Sequence, residues 1–136
     1  MSLAASYVGN ARTALDDTIR YTKDRKQFGK SLSSFQVIKH RIAENEYELA
    51  AARLLVYNAA TMLARGEHAL KEVSMAKVFA VDTAFKVAFN GMQAMGGYGQ
   101  MPEFDMERYF REAKHGMVGG GANEIQRSII AKEMGI

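Results

Sequence analysis

The chain has 136 residues, 48% hydrophobic and 24% charged, the make-up of one globular domain with room for a substantial core. It contains no cysteine, which excludes disulfide, thiolate and zinc-thiolate chemistry, and no apolar run long enough to span a bilayer. The net charge of +3 is modest, and the basic residues are spread among acids without the patch or stripe that nucleic-acid binding needs. The lack of cysteine and of a signal-peptide pattern suits a cytoplasmic address.

The spacing predicts a first helix from about Leu3 to Asp24, with Val8, Ala11, Leu15, Ile19 and Thr22 recurring at three- and four-residue steps. Gly9 sits inside that pattern at a cost of roughly 1 kcal/mol relative to alanine, which suggests close approach of another helix or a ligand. The chain starts abruptly on this helix, as a truncated one would. Next comes Arg25-Lys26-Gln27-Phe28-Gly29-Lys30-Ser31-Leu32, the clearest break between helical segments. Phe28 and Leu32 are apolar in an otherwise polar loop and are expected to pack it down. Arg25 has two readings: a helix C-terminal cap acting through the dipole, or a fork of donors presented to a phosphate.

A second helix is expected from Ser33 or Ser34 to Ala64, with Ser33 and Gln36 as a capping box and Gly66 as its stop. Its length points to a bundle or an oligomer. Asn45 and Glu46 interrupt its apolar stripe and read as a solvated gap or a second interface. The third helix, Leu70 to Met95, carries Ala76, Ala80, Ala84 and Ala88 as a smooth face and large apolar residues elsewhere, the mark of a helix buried centrally. Its methionines read as adaptable core filler.

Gly96-Gly97-Tyr98-Gly99 ends the third helix. Asp105 is the expected cap for a helix from Met106 to His115. Asn123, with Gln126 in the reciprocal position, is the expected cap for a last helix reaching Met134. No strand signal competes, so the fold class is all-α: an up-down bundle of three long helices and two shorter C-terminal ones. A third helix apolar on more faces than one neighbour can cover also predicts self-association.

The catalytic inventory is thin. His40, His68 and His115 are far apart in sequence and in no metal-binding spacing. Gly119-Gly120-Gly121 before a helix can cradle an anion or serve as a plain connection.

Four segments carry a resemblance to the flavin-dependent acyl-CoA dehydrogenases. Arg25 to Lys30 with Phe35-Gln36 resembles their R-x-x-F-G-K…Q segment, and Gln93 to Gly99 resembles their Q-x-x-G-G-x-G turn. Glu107-Arg108 through Arg111-Glu112-Ala113-Lys114 is similar to their E-R…R-D-A-K helix, and Asn123 to Arg127 resembles the end of E-G-T-x-E-I-Q-R. Family members have a helical N-terminal domain, a middle β-domain and a C-terminal bundle. Only the bundle matches, so the chain reads as a piece of a longer protein.

The resemblance implies α,β-dehydrogenation of acyl-CoA thioesters, FAD as cofactor, reoxidation by an electron-transfer flavoprotein, and a homotetramer with flavin contacts across the subunit interface. Residue by residue, it implies that Arg25 pairs with the FAD pyrophosphate, while Gln27, Phe28 and Gln36 support the dinucleotide. Gln93 and Gly97 match the dinucleotide-binding turn, and Glu124 the adenosine side. Ala122 stands where a threonine is usual, so one hydroxyl contact is lost. Gly120 occupies the position of the usual glutamate base, and the alternative base position, on the first helix, falls just before Met1. The resemblance therefore places no catalytic residue in the chain. The other reading is a non-dehydrogenase relative that keeps the bundle for assembly or binding.

Overall fold

The row of alanines on the third helix decides the architecture, because side chains that small let helices close in from several sides. The computed structural model describes residues 1–136 and has five helices: α1 (Ser2–Asp24), α2 (Gln36–Ala64), α3 (Leu70–Met95), α4 (Met106–Gly116) and α5 (Asn123–Glu133). α3 packs against each of the other four. Ala76, Ala80, Ala84 and Ala88 are all buried along it, and α1 meets that face with its own small residues Ala4, Ala11 and Ala14 around the fully enclosed Leu15. Leu15, Leu49, Val81, Val87 and Met106 are wholly buried, and each large apolar side chain so removed from water contributes about 1.5–3 kcal/mol. No helix is long and apolar enough to cross a membrane.

Two glycines mark the tightest crossings. A Cβ on Gly91 would meet Met106 Sδ and Thr18 Oγ1 at 2.6 and 2.7 Å, and one on Gly116 would enter the Tyr7 ring. Tyr7 then donates its hydroxyl to the Glu112 carbonyl at 2.9 Å, which ties α1 to α4. Gly9 has no such neighbour. A Cβ there would meet nothing within 4 Å, and the residue borders an open groove between α1 and α2.

Several local expectations are corrected. A two-stranded antiparallel hairpin, β1 (Lys26–Gln27) and β2 (Lys30–Ser31), follows α1, with Lys26 opposite Ser31 and Gln27 opposite Lys30. Strands of two residues carry no readable alternation. α2 begins at Gln36 because Leu32–Ser34 forms a 3₁₀ turn, and Ser33 makes no capping box: its hydroxyl pairs with that of Ser31 at 3.2 Å. Asp105 stands at the cap of α4, but its carboxylate accepts from Arg108 instead of the helix backbone. Asn123 is the first residue of α5 and does not cap it: its buried amide is bonded to side chains of α3.

The supposed gap at Asn45 is also filled. Asn45, Leu49, Ala52, Val56 and Ala59 step by four and three residues and form the buried face of α2. Asn45 accepts from Asn90 Nδ2 at 2.8 Å, which satisfies its carbonyl inside the core. Glu46, one residue round the helix, pairs with Arg12 of α1 through two bonds of 2.8 Å.

Candidate functional site

Two clusters lie at the two ends of α3. The first begins where α1 stops. Arg25 leaves the helix in an extended conformation, its N–H still donating to Tyr21 O at 2.9 Å, and its carbonyl closes the hairpin by accepting from Leu32 at 2.9 Å. Phe28 and Gly29 form the two-residue turn at φ +53° and +79°. Left-handed torsions at both positions give the twist that a two-residue hairpin needs. Glycine adopts them freely, whereas phenylalanine is strained there, and such strain clusters at functional sites. Phe28 does not pack down as its apolar character suggests. It is 91% exposed at the hairpin tip, edge-on to Phe35 with ring centroids 6.3 Å apart.

The Arg25 guanidinium forms no ion pair and lies 5.7 Å from the centre of the Tyr98 ring. Tyr98 belongs to the 3₁₀ turn Gly96–Gln100 that continues α3, and it packs with Tyr21 and Phe104 at centroid distances of 6.3 and 5.6 Å. Tyr21 also donates to Met95 O at 3.4 Å, so the aromatic cluster fixes the end of α1 against the end of α3. A cleft of about 540 Å³ opens beside it, lined by Tyr21, Arg25, Met95 and Phe104 among others. Gln93 and Gly97 are exposed, and the space where a Gly97 side chain would stand is empty, so a ligand can reach that backbone.

Gln27 and Gln36 flank the hairpin and the start of α2. Both are exposed, and the Gln36 amide lies 3.4 Å from His40 Nε2. The structure thus brings Arg25, Gln27, Phe28, Gln36, Gln93 and Gly97 to one end of the bundle.

The second cluster surrounds the three glycines before α5. Lys77 of α3 donates to Gly121 O at 2.9 Å and to Asn123 Oδ1 at 2.7 Å. Asn123 Nδ2 donates to Asp82 at 2.8 Å, and Asp82 also accepts from Arg127 at 3.2 Å. Burial pushes the Lys77 ammonium below its ordinary pKa, against the opposing pull of Asp82 and Glu124. Glu124 is exposed in the first turn of α5. Between Lys77 and Met95, α3 rises about 27 Å at ~1.5 Å per residue, so Glu124 is far from Arg25.

Residues 1–135 match the family model described as acyl-CoA dehydrogenase, C-terminal domain. This chain belongs to the acyl-CoA dehydrogenase family. It is 42% identical over 134 residues to a probable acyl-CoA dehydrogenase of Mycobacterium tuberculosis, covering 98% of this chain and 34% of that protein. It is 38% identical over 131 residues to a subunit of the caffeyl-CoA reductase–Etf complex of Acetobacterium woodii, covering 96% and 35%. The butyryl-CoA dehydrogenase structure from Megasphaera elsdenii superposes with a TM-score of 0.96 at 36% identity, covering 98% of this chain and 35% of that one. The chain therefore spans about a third of the length of the relatives it matches.

In this acyl-CoA dehydrogenase bundle, the position for which the resemblance implies a base is tight. Gly120 has φ +64°, and a Cβ there would stand 2.6 Å from Leu3 Cδ2 of α1. Placing a carboxylate there by Gly120→Glu must both strain the backbone and displace the end of Leu3, so it is expected to destabilise the bundle by about 1–3 kcal/mol. Urea unfolding measures this, and an unchanged midpoint would show that Leu3 yields freely.

Lys77, Asp82 and Asn123 were not visible as a site in the sequence. The one available signal was a lysine set between Ala76 and Ala80 on a helix otherwise read as buried.

Proposed function

We propose that this chain is the C-terminal helical domain of a longer, FAD-dependent acyl-CoA dehydrogenase, where it contacts flavin and builds the oligomer. The observation that carries this is the free Arg25 guanidinium held over Tyr98, beside an exposed Phe28 kept at a strained turn and the open backbone at Gly97. An unpaired cation, an uncovered aromatic and an accessible glycine backbone suit an anionic dinucleotide. Arg25 would meet the pyrophosphate, with Gln27, Phe28, Gln36, Gln93 and Gly97 around the rest of the dinucleotide. Glu124 would meet an adenosine from the other end of α3. Bound FAD supplies the hydride acceptor for oxidation of an acyl Cα–Cβ bond.

A base is still needed, and this chain does not carry it at Gly120. The alternative position that the resemblance implies, on the first bundle helix, falls just before Met1. Absence of an Asp or Glu there favours the second reading, a relative with no dehydrogenase activity of this type, a reading that the empty Gly120 position already supports. The relative from an Etf complex supports an electron-transfer flavoprotein as partner, and the relatives named acyl-CoA dehydrogenase support an acyl-CoA thioester as substrate, with a role in fatty acid metabolism as part of the same reading. A cytoplasmic address is part of the same reading.

Since Arg25 and Glu124 face opposite ends of one chain, a neighbouring copy is needed for one flavin to meet both. The outer face of α2 supplies a surface for that copy: Tyr47, Leu54 and Tyr57 are 61%, 69% and 55% exposed. Closed symmetric association covers such a face, with a tetramer built as a dimer of dimers. Light scattering on a dilution series tests this. A dimer or larger species is expected at micromolar concentration, and a stable monomer would contradict it.

A further inference from the structure

The flavin half-site at the α5 end depends on a group with no assigned role. Lys77 is the one charged side chain among the buried residues, 6% exposed on the face of α3 that carries Ala76 and Ala80. Burying an ammonium is costly, and where stability alone is at stake an apolar side chain of similar volume usually serves as well or better. Lys77 donates to Gly121 O and Asn123 Oδ1 and pairs with no carboxylate.

What those two bonds fix is specific. Gly120 and Gly121 sit at φ +64° and +91° in a run of three glycines, the backbone with the widest choice of conformations. Their carbonyls are both held, that of Gly120 by Gln126 Nε2 at 3.4 Å and that of Gly121 by Lys77 at 2.9 Å, while their N–H groups donate to nothing in the chain. Through Asn123, Lys77 also sets the first turn of α5, which Asp82 and Arg127 brace from the other side. That turn carries Glu124.

We infer that Lys77 is a positioning residue: it holds the Gly119–Gly121 turn and Glu124 in the orientation in which they meet the flavin nucleotide. The inference rests on the flavin reading above, so the test separates the two. In the full-length protein, Lys77→Met, Lys77→Arg and Arg25→Ala are compared by FAD titration and thermal unfolding. Amide exchange is followed on this chain carrying the same two Lys77 changes.

Lys77→Met should weaken FAD about tenfold and speed exchange by at least as much at the bonded amides of the turn, Gly119, Asn123 and Gln126, which donate to the His115, Met117 and Ala122 carbonyls. Protection in the middle of α1, α2 and α3 and the melting temperature should stay near the parent values. Lys77→Arg, which keeps a cation and its donors, should recover most of both losses, and it carries the test if the methionine variant does not fold. Unchanged FAD affinity in Lys77→Met, with Arg25→Ala weakened, would overturn the role of Lys77 alone. Loss of protection throughout the bundle would reduce Lys77 to a structural residue. Unchanged affinity in Arg25→Ala as well would remove the flavin reading, and this inference with it.

Discussion

Supplied with FAD and a panel of acyl-CoA thioesters, this chain is expected to give no dye reduction above a no-protein control, and to purify without flavin colour. The reason lies in geometry. Where the resemblance implies a base stands Gly120, with the end of Leu3 in front of it. A group that cannot accept a proton removes general-base catalysis outright, a contribution of about 10²–10⁴-fold where it operates. On the reading proposed above, the chain also offers only parts of a flavin surface: the Arg25–Tyr98 cluster near one end of α3 and the Glu124 turn near the other. If the chain is one domain of a longer dehydrogenase, as proposed, nothing in it alone excludes water from the reacting bond. Turnover with any chain length would mean that a base lies elsewhere among these residues.

In the full-length protein, Arg25→Ala is expected to weaken FAD retention about 10- to 150-fold, corresponding to the roughly 1.5–3 kcal/mol of a charge-assisted hydrogen bond. Lys26→Ala, one residue along, should change it little. The neighbours differ in how they are held. Arg25 is anchored by backbone bonds at both its N–H and its carbonyl, and its guanidinium lies over Tyr98, which is itself packed against Tyr21 and Phe104. Lys26 is an exposed residue of the hairpin strand, opposite Ser31. A planar fork braced on an aromatic loses less entropy on meeting a phosphate than a free lysine does. Flavin absorbance after gel filtration reads the difference. Equal retention in both variants would leave Arg25 as a helix cap only.

The bundle was legible because its signals are periodic and repeated. Ala76 to Ala88 announce a central helix, and glycines at 66 and 96 stop α2 and α3 where the sequence places those stops. Local chemistry was read less well, each time because one residue has several possible partners. Ser33 and Asn123 have capping side chains, but a second serine and a buried lysine claimed them. Phe28 is apolar, which suggests an anchor, but the torsions of a two-residue turn hold it out in solvent. A lysine on a helix is normally solvated, so little in the sequence marks Lys77, whose burial follows from how α5 packs across α3.

Arg25, at the end of α1, and Glu124, in the first turn of α5, lie at opposite ends of the bundle, as the alternation of an up-down order requires. That separation is what the central claim rests on, and a hybrid oligomer tests it most directly. Full-length Arg25→Ala and Glu124→Ala subunits, each with its own affinity tag, are co-expressed, and the species carrying both tags is isolated and assayed for bound FAD. If each flavin takes Arg25 from one copy and Glu124 from another, half the sites in a symmetric two-copy hybrid have both residues intact, and roughly half the parental flavin should return. Flavin content no higher than the average of the two parent variants would contradict the claim and place the whole contact set within a single chain.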